Sequence, residues 1–285
     1  MQFPIESLNL QMLNVGYARH DGDWNWQQVS SPFTRIYFVT EGEARLHLTD
    51  GVVVLRPRHL YIIPAYTRHS YECQSVFGHY YLHLYEGFKN ETNVFEMFRL
   101  PFEVEATDLE LQLFQEMCSN HPEAQLPESN PQVYDTNTSF ADYAKRYNAL
   151  SLWQKMRLRG IMLMLFARFM RQATPRVWTT DERMTKVLAY IHNHLYDDID
   201  IDALASVACI TKSYLIRLFT QEFGQSPLHY INKKKIEKSQ LVLLTSDLAV
   251  KAVAYTMGFN DYSYFIRLFK KIVGITPGEY RLSLR

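Results

Sequence analysis

The spacing of apolar residues changes along the chain and divides it into two parts. Between Trp24 and Glu86, short apolar runs at 33–40, 44–49, 52–55, 60–64 and 79–86 are separated by turn residues. Asp50 and Gly51 form a typical two-residue hairpin turn. From about residue 149 onward, apolar residues recur at the three- and four-residue spacing of helices. The pattern therefore predicts an α+β protein whose first domain is a β-sandwich or barrel and whose second domain is all helical.

Two further helical patterns complete the first part. Residues 108–118 have helical spacing, residues 121–139 are predicted to be a loop, and a long helix is expected over about 149–172. That last helix is apolar on most sides, so it needs cover from more than one direction. Packing within the domain and contact with a second copy of the chain are both compatible with the pattern.

A twenty-residue pattern occurs twice near the carboxy terminus. TKSYLIRLFTQEFGQSPLHY begins at Thr211, and DYSYFIRLFKKIVGITPGEY begins fifty residues later at Asp261. In each copy an N-cap residue opens a helix, a glycine (Gly224 or Gly274) closes it, and a Ser-Pro or Thr-Pro pair opens the next helix. A repeat of this kind indicates duplicated supersecondary units.

The two repeated helices have matching residue patterns on both of their faces. The apolar faces comprise Tyr214, Leu215, Leu218 and Phe219 in the first copy and Tyr264, Phe265, Leu268, Phe269 and Ile272 in the second. The opposite faces comprise Ser213, Ile216, Arg217 and Thr220, then Ser263, Ile266, Arg267 and Lys270. In a DNA major groove Arg bonds guanine, Ile contacts the thymine methyl, and Ser bonds base edges or phosphate. The alternative is a helical hairpin repeat with a salt-bridged surface.

The remaining helices of the second part follow from capping signals. Thr179 with Glu182 predicts a capping box, and Asp200 and Asp247 predict two further N-caps. Cys209 and Ile210 are expected to form the turn before the first repeated helix. A helix from Pro227 to about residue 244 connects the two units and spans roughly 25 Å, against ~34 Å between successive major-groove faces.

Charge is distributed unevenly although the net charge of the 285-residue chain is zero. Residues 211–285 contain 12 Lys and Arg against 5 Asp and Glu, or +7, and the rest of the chain is −7. A basic segment on an acidic body predicts contact with a polyanion at the carboxy-terminal end only. The three scattered cysteines predict neither a disulfide framework nor a zinc cluster. The amino terminus has no signal-peptide pattern and no apolar run spans a bilayer, so a cytoplasmic location is expected.

Residues 180–285 resemble the AraC/XylS-type double helix-turn-helix domain along their whole length. The resemblance is most specific over 250–281, through Met-Gly-Phe, Ser-Tyr-Phe, Arg-Leu-Phe-Lys-Lys, Gly-Ile-Thr-Pro and Tyr-Arg. Lys235 departs from it where Arg is common, and Ser239 where Ala is common. The resemblance implies base contacts by Ser213, Ile216, Arg217, Tyr262, Ser263, Ile266 and Arg267. The basic residues nearby predict phosphate contacts by Lys212, Lys233, Lys234, Lys235, Lys270 and Lys271.

Residues 60–70 and the order of the strands resemble the cupin-type sensor domain that precedes many AraC-type domains. Aromatic walls with a few polar groups are typical of small-molecule sites. The predicted effector residues are Trp24, Trp26, Arg35, Tyr37, Tyr61, Tyr66, His69 and Tyr81, each of which is also compatible with ordinary core packing. His79 and His83 share a strand face, but nothing completes a metal shell, so neither metal nor cofactor is predicted.

These observations predict a cupin-like sensing domain with a helical dimerisation segment over 1–172, a linker over 173–180 and a DNA-binding domain over 181–285. The predicted function is a non-enzymatic, sequence-specific transcription regulator. It is expected to be an activator that binds promoter DNA, a small-molecule effector and RNA polymerase as a homodimer without membrane contact. A metal-dependent cupin enzyme tethered to DNA and a ligand-independent architectural DNA-binding protein are the alternatives.

Overall fold

The computed structural model describes residues 5, 8–87, 94–134, 137–176, 179 and 181–282. These residues form two compact units. One unit contains the chain up to Gly87 together with Phe98–Thr174, and the other contains Val94–Met97 and the chain from Pro175 onward. Strands dominate the first unit, and helices dominate the described part of the second. The predicted α+β fold class is confirmed.

The strands and helices alternate little along the chain. The strands are β1 (Leu10–Asp21), β2 (Thr34–Gly42), β3 (Ala44–Leu48), β4 (Gly51–Leu55), β5 (His59–Ile63), β6 (His69–Glu72), β7 (Val76–Glu86), β8 (Phe98–Arg99), β9 (Glu103–Glu105) and β10 (Thr174–Pro175). The helices are α1 (Val94–Met97), α2 (Asp108–Asn120), α3 (Pro131–Tyr134), α4 (Asn137–Ala149), α5 (Leu152–Met170), α6 (Glu182–Asn193), α7 (Ile201–Val207), α8 (Lys212–Phe223), α9 (Pro227–Thr245), α10 (Val250–Thr256), α11 (Tyr262–Val273) and α12 (Pro277–Leu282).

Two antiparallel sheets enclose the core of the first unit. A five-stranded sheet has the order β1-β7-β2-β5-β9, and a three-stranded sheet has the order β4-β3-β6. Tyr37, Tyr61 and Phe77 from the larger sheet share one apolar cluster with Leu46 and Tyr71 from the smaller sheet. The two sheets therefore bury a common interior, as the short alternating runs predicted.

Strand β1 was not predicted, and its environment explains why. It pairs antiparallel with β7 from Leu10↔Glu86 to Asp21↔Val76, with a bulge between Met12 and Asn14. Its first half is buried almost continuously, with helices packed on one side. A strand covered on both faces loses the alternation of apolar and polar residues, and a bulge shifts the register further. The period-two signal is therefore absent from this stretch.

The predicted loop over 121–139 is wrong in part. It contains a 3₁₀ turn at Pro122–Ala124, the short helix α3 and the start of α4. Tyr143 and Ala144 of α4 are buried, so tertiary packing stabilises a helix that its polar composition did not indicate. Helix α5 matches its prediction and buries Leu158, Ile161 and Phe166 within the unit.

The second unit has two small cores joined by one helix. The first core contains Met184, Ile191, Leu215 and Phe219, and the second contains Ile236, Val253, Phe265 and Phe269. Helix α9 contributes to both, since its Tyr230 and Ile231 lie in the first core and its Ile236 and Val242 lie in the second. The duplicated sequence therefore folds into two units that share α9.

Most predicted caps are found where expected. Thr211, Ser226 and Asp200 accept hydrogen bonds from helix N–H groups, and Gly224 and Gly274 end their helices with φ of 68° and 96°. Two predictions are wrong. Asp181, not Thr179, caps α6 by accepting from Arg183 N at 2.9 Å, while Thr179 Oγ1 accepts from Asp181 N. Helix α10 begins after Ala249, and residues 246–249 have no regular secondary structure, so Asp247 lies before the helix and does not cap it.

The two aspartates allow a matched stability test. Asp261 Oδ1 accepts from Ser263 N at 2.7 Å and from Tyr264 N at 3.2 Å. We expect Asp261→Ala to lower the free energy of unfolding of the second unit by about 1 kcal/mol, because it leaves these N–H groups without their cap. Asp247→Ala removes an exposed carboxylate that caps nothing, and we expect a change within about 0.5 kcal/mol. Urea unfolding followed by far-ultraviolet circular dichroism distinguishes the two, and equal losses would contradict the capping assignment.

Candidate nucleic-acid interface and sensor cavity

The second unit of the structure contains two helix-turn-helix motifs whose turns match. Helices α7 and α8 meet at 84°, close to the angle of known helix-turn-helix pairs. Their turn is closed by a hydrogen bond from Ile210 N to Ala205 O at 3.0 Å, with Cys209 at φ 54°. The turn between α10 and α11 has the same closure, from Phe259 N to Ala254 O at 3.0 Å, with Gly258 at φ 71°. The sequence repeat is therefore also a structural repeat.

Helices α8 and α11 each bury one face and leave the other open. Leu215 and Phe219 in α8 and Phe265 and Phe269 in α11 are fully buried. Among the residues predicted to contact bases, Ser213, Ile216, Arg217, Ser263 and Arg267 are exposed, and Tyr262 and Ile266 are half-buried. Because helical positions three and four apart share a face, the buried aromatics fix the direction in which the arginines point. Five of the seven predicted base-contacting residues therefore lie on the open faces, whereas Tyr262 and Ile266 pack partly against the second core.

The amino-terminal helix of the second unit places a further cation beside α8. The guanidinium of Arg183 lies 5.5 Å from the ring centre of Tyr214, and that of Arg217 lies 5.1 Å from the same ring. Asp181 holds Arg183 in place through a bond from Arg183 Nε to Asp181 Oδ1 at 2.9 Å. The sequence analysis missed this cluster, since nothing in the spacing of Arg183 links it to Tyr214 thirty-one residues later.

Tyr264 was assigned to the apolar face of α11, and that assignment is wrong. Its side chain is 38% exposed, and its hydroxyl accepts a hydrogen bond from Asn232 Nδ2 of α9 at 3.0 Å. The equivalent Tyr214 is half-buried. Each tyrosine lies at the edge between the buried and the open face, where an aromatic ring and a polar hydroxyl are both accommodated.

The six lysines predicted to contact phosphate have different surroundings. Lys233, Lys270 and Lys271 are exposed, Lys212 is exposed and paired with Asp202 at 2.9 Å, and Lys234 is half-buried and paired with Glu237 at 3.3 Å. The prediction for Lys235 is wrong. Its side chain is 4% exposed, and Nζ donates to Asp197 O at 2.8 Å and to Gly258 O at 3.0 Å. An amino group held by two internal carbonyls is not available to a phosphate.

A cavity of about 200 Å³ opens beside β1 and β7 in the first unit. Of the predicted effector residues, Trp24, Tyr37 and Tyr81 line it. Its wall also includes His20, His79 and His83, the stretch from Gln125 to Ser129, and Tyr134. His79, Tyr81 and His83 alternate along β7, so they point to the same side of the sheet. That alternation was visible in the sequence for the histidines, whereas the contribution of the 125–134 segment was not.

The histidines of the cavity are held in their neutral form. Burial lowers the pKa of His79 and His83 well below the usual range. The neighbouring His20 lowers the pKa of His79 further, and Arg35 and His79 lower that of His83 further. Burial also lowers the pKa of His20, although Asp23, 3.3 Å from its Nδ1, opposes the shift. Neutral imidazoles between aromatic rings make a wall that offers hydrogen bonds without net charge.

The other five predicted effector residues do not line this cavity and have structural contacts. Arg35 is 1% exposed, donates to Ser31 Oγ at 2.6 Å and lies over the ring of Phe33. The Tyr61 hydroxyl donates to Glu103 Oε1 at 2.9 Å. His69 Nε2 pairs with the Tyr71 hydroxyl at 2.7 Å, and burial lowers the pKa of His69 to about 3. Trp26 and Tyr66 are half-buried beside the core.

The described residues also bear on metal binding and on membrane crossing. Nowhere in the described ranges do three His, Cys, Asp or Glu side chains converge as metal ligands would. None of the helices assigned in these ranges crosses a membrane by itself on grounds of length and apolarity. Only the pair α7 and α8, which bends by 84°, passes that test jointly.

Comparison with known proteins locates a family within the second unit. Residues 204–283 match the helix-turn-helix domain family. The arabinose operon regulatory protein of Escherichia coli K12 is 36% identical over 102 residues, which is 35% of each chain. The xylose operon regulatory protein of the same strain is 28% identical over 138 residues, 48% of this chain and 35% of the relative. The chain thus spans about a third of the length of these relatives.

Two solved structures are similar to this chain, one over about a third of it and the other over nearly all of it. The DNA-binding domain of AdpA in complex with a target DNA is 28% identical over 35% of this chain and 91% of its own, with a TM-score of 0.34. Fatty-acid-bound ToxT from Vibrio cholerae SCE256 is 16% identical over 96% of this chain and 95% of its own, with a TM-score of 0.43. On the family match, residues 204–283 of this chain are a helix-turn-helix domain, and the chain is similar over part of its length to the arabinose and xylose operon regulatory proteins.

Proposed function

We propose that this protein is a cytoplasmic transcription regulator that reads promoter DNA with α8 and α11 and responds to a small molecule. The observation that carries the proposal is the matching open face of the two helices. Ser213 and Arg217 in α8 correspond to Ser263 and Arg267 in α11, and all four are exposed. The exposed Ile216 corresponds to the half-buried Ile266, and the apolar side of each helix is buried in its own core. The two cores share α9, so one chain presents two reading helices in tandem.

The chemistry of these faces suits a major groove. Arginine at one position of each helix can bond a guanine edge, and the adjacent isoleucine can contact a thymine methyl. Lys233, Lys270 and Lys271 are exposed nearby and suit phosphates, as does Lys212 once it leaves Asp202. Because the two units follow each other along one chain, the site read by one chain is not a palindrome. Promoter binding of this kind also suits activation through RNA polymerase.

Arginine replacements test the reading helices. We expect Arg217→Ala and Arg267→Ala each to weaken binding to the preferred duplex by about 1–3 kcal/mol and to relax base preference at one position, a different position for each variant. Lys270→Met removes an exposed charge, so it should weaken binding to all duplexes alike and reduce the salt dependence. Affinities for a library of single-base variants give the comparison, and arginine variants that keep full base preference would contradict the assignment.

The cavity beside β1 and β7 is the proposed effector site. Its polar groups include neutral histidines, and its walls include Trp24, Tyr37, Tyr81 and Tyr134. At about 200 Å³ it is smaller than the sites of drug-sized ligands, which occupy about 300–1,000 Å³. The effector is therefore expected to be small and compact.

Filling the cavity tests this site without touching the DNA-binding unit. Ala18 lines the cavity, and Ala18→Trp places an indole where the effector would lie. Metabolites that raise the melting temperature of the wild-type chain should no longer do so in this variant, which should still bind DNA. Ala249→Trp makes the same change at an exposed position of the second unit and should keep the ligand response. An Ala18→Trp variant with a full ligand response would place the effector elsewhere.

An uncovered apolar surface on α5 supports a homodimer. Leu152, Trp153 and Met156 are 75%, 62% and 66% exposed, while the other side of the helix packs within the unit. Gly160 and Met164 continue the same line of positions at helical spacing. Exposed apolar patches of this kind mark protein contacts. A second copy of the same helix is the proposed cover.

A charge on this surface tests the dimer. We expect Met156→Glu to convert the protein to a monomer at micromolar concentration, since association would bury an unpaired carboxylate. Arg171→Glu changes the charge of an exposed residue beyond the end of the same helix and should leave the dimer intact. Sedimentation velocity measures both. A Met156→Glu variant that remains dimeric would exclude this surface.

A further inference from the structure

A single buried lysine connects the two helix-turn-helix units. Lys235 lies in the middle of α9, and its Nζ donates to Asp197 O in the loop before α7 and to Gly258 O in the turn before α11. The first carbonyl belongs to the unit that carries α8, and the second to the unit that carries α11. One amino group therefore contacts the backbone of both units.

The backbones of the two units also approach each other closely at this point. A Cβ atom added to Gly258 would lie 2.2 Å from Tyr196 O and 2.8 Å from Lys235 Nζ, so no side chain fits there without movement. Beside this contact, Asn260 Nδ2 donates to Asp198 Oδ2 at 2.8 Å. The loop at 196–198 and the turn at 258–260 thus form a continuous contact next to Lys235.

The surroundings of Lys235 favour an interaction that fixes position. Its side chain is 4% exposed, and its Nζ lies 5.5 Å from the ring centre of Phe259. Burial lowers the pKa of Lys235, while Asp198 and Asp197 oppose the shift. A buried donor is costly to place, and removing it leaves two carbonyls without their partner. The two carbonyls that share this donor belong to different helix-turn-helix units, so the bonds that satisfy the lysine also join the two backbones.

We propose that Lys235 is a positioning residue that fixes the orientation of α8 relative to α11 and thereby the spacing of the two DNA segments that one chain reads. It contacts no DNA itself, because its amino group is enclosed by the loop and the turn. The inference extends the proposed function, since a defined spacing matters only if both helices read the same duplex. It also explains how two small cores joined by one helix act as a single reader.

The test uses the full chain and a duplex selected in vitro for binding to the wild type. Footprinting locates the two segments, and a series of duplexes with one or two base pairs inserted or deleted between them reports the spacing preference. We expect Lys235→Met to bind the original duplex roughly tenfold more weakly and to discriminate much less between spacings. Its affinity for duplexes that contain one segment only should equal that of the wild type.

Three variants separate positioning from a general loss of stability. Lys235→Arg retains donors for both carbonyls and should restore the spacing preference. Lys251→Met removes an exposed lysine of the same unit and should bind as the wild type does. Asn260→Ala weakens the same contact from an exposed position, so it should shift the spacing preference in the same direction even if Lys235→Met does not fold. An unchanged spacing preference in folded Lys235→Met, or in Asn260→Ala if Lys235→Met does not fold, would overturn the proposal.

A measurement without DNA distinguishes this inference from the proposed function. Gln221→Cys and Lys271→Cys place spin labels at equivalent exposed positions of α8 and α11, in a chain whose Cys118 and Cys209 are replaced by serine. We expect one narrow distance distribution with Lys235 and a broader one with Lys235→Met. A protein that selects no duplex but shows this broadening loses the proposed function and keeps the positioning role. Identical narrow distributions would overturn that role.

Discussion

The burial of Phe219 in one core and of Phe265 and Phe269 in the other is the constraint on which the DNA-facing geometry depends. A helix has no freedom to turn about its axis once large aromatic residues on one side are enclosed. Arg217 and Arg267 are then directed to the open side because of where they stand in the helical repeat. The direction of the exposed side chains is thus fixed by buried residues on the opposite side of each helix. The same logic applies to the caps, since Thr211 and Asp261 determine where each helix starts.

Helical periodicity made the second unit largely predictable. The repeated segments, their caps and most of the open positions follow from local rules that operate over four residues, and they are found in the structure. The exceptions are Ile266, which is half-buried, and Tyr264, which is exposed. The errors lie where distant residues decide the outcome. Lys235 resembles a phosphate-binding lysine because it follows two other lysines, but its amino group meets Asp197 and Gly258, which are 38 and 23 residues away in the sequence. A local charge pattern contains no information about such contacts.

The first unit was less predictable for the same physical reason. Strands β3 and β4 could be identified from their spacing and the hairpin turn between them, and the buried strands β2 and β5 from their β-branched and aromatic residues. Strand β1 has several polar residues and a bulge, so it gives neither signal. The prediction of the effector residues rests on aromatic and a few polar side chains on or beside the strands. Those properties describe the cavity wall and the core equally well. Trp24, Tyr37 and Tyr81 belong to the wall and to the core cluster at once, while Tyr61 belongs to the core cluster alone.

Buried polar side chains have different surroundings in the two units. In the first unit, burial lowers the pKa of His79 and His83, and both rings line the cavity among aromatic side chains, where His83 Nδ1 also pairs with Asn14 Oδ1 at 2.8 Å. In the second unit, the buried amino group of Lys235 donates hydrogen bonds to the carbonyls of Asp197 and Gly258 and is not accessible to a partner outside the protein. A donor that is already hydrogen-bonded inside the protein affects DNA binding only through the positions of the groups that it holds. Helix α9 therefore does more than separate the two helix-turn-helix motifs, because its buried Lys235 bonds to the backbone of both.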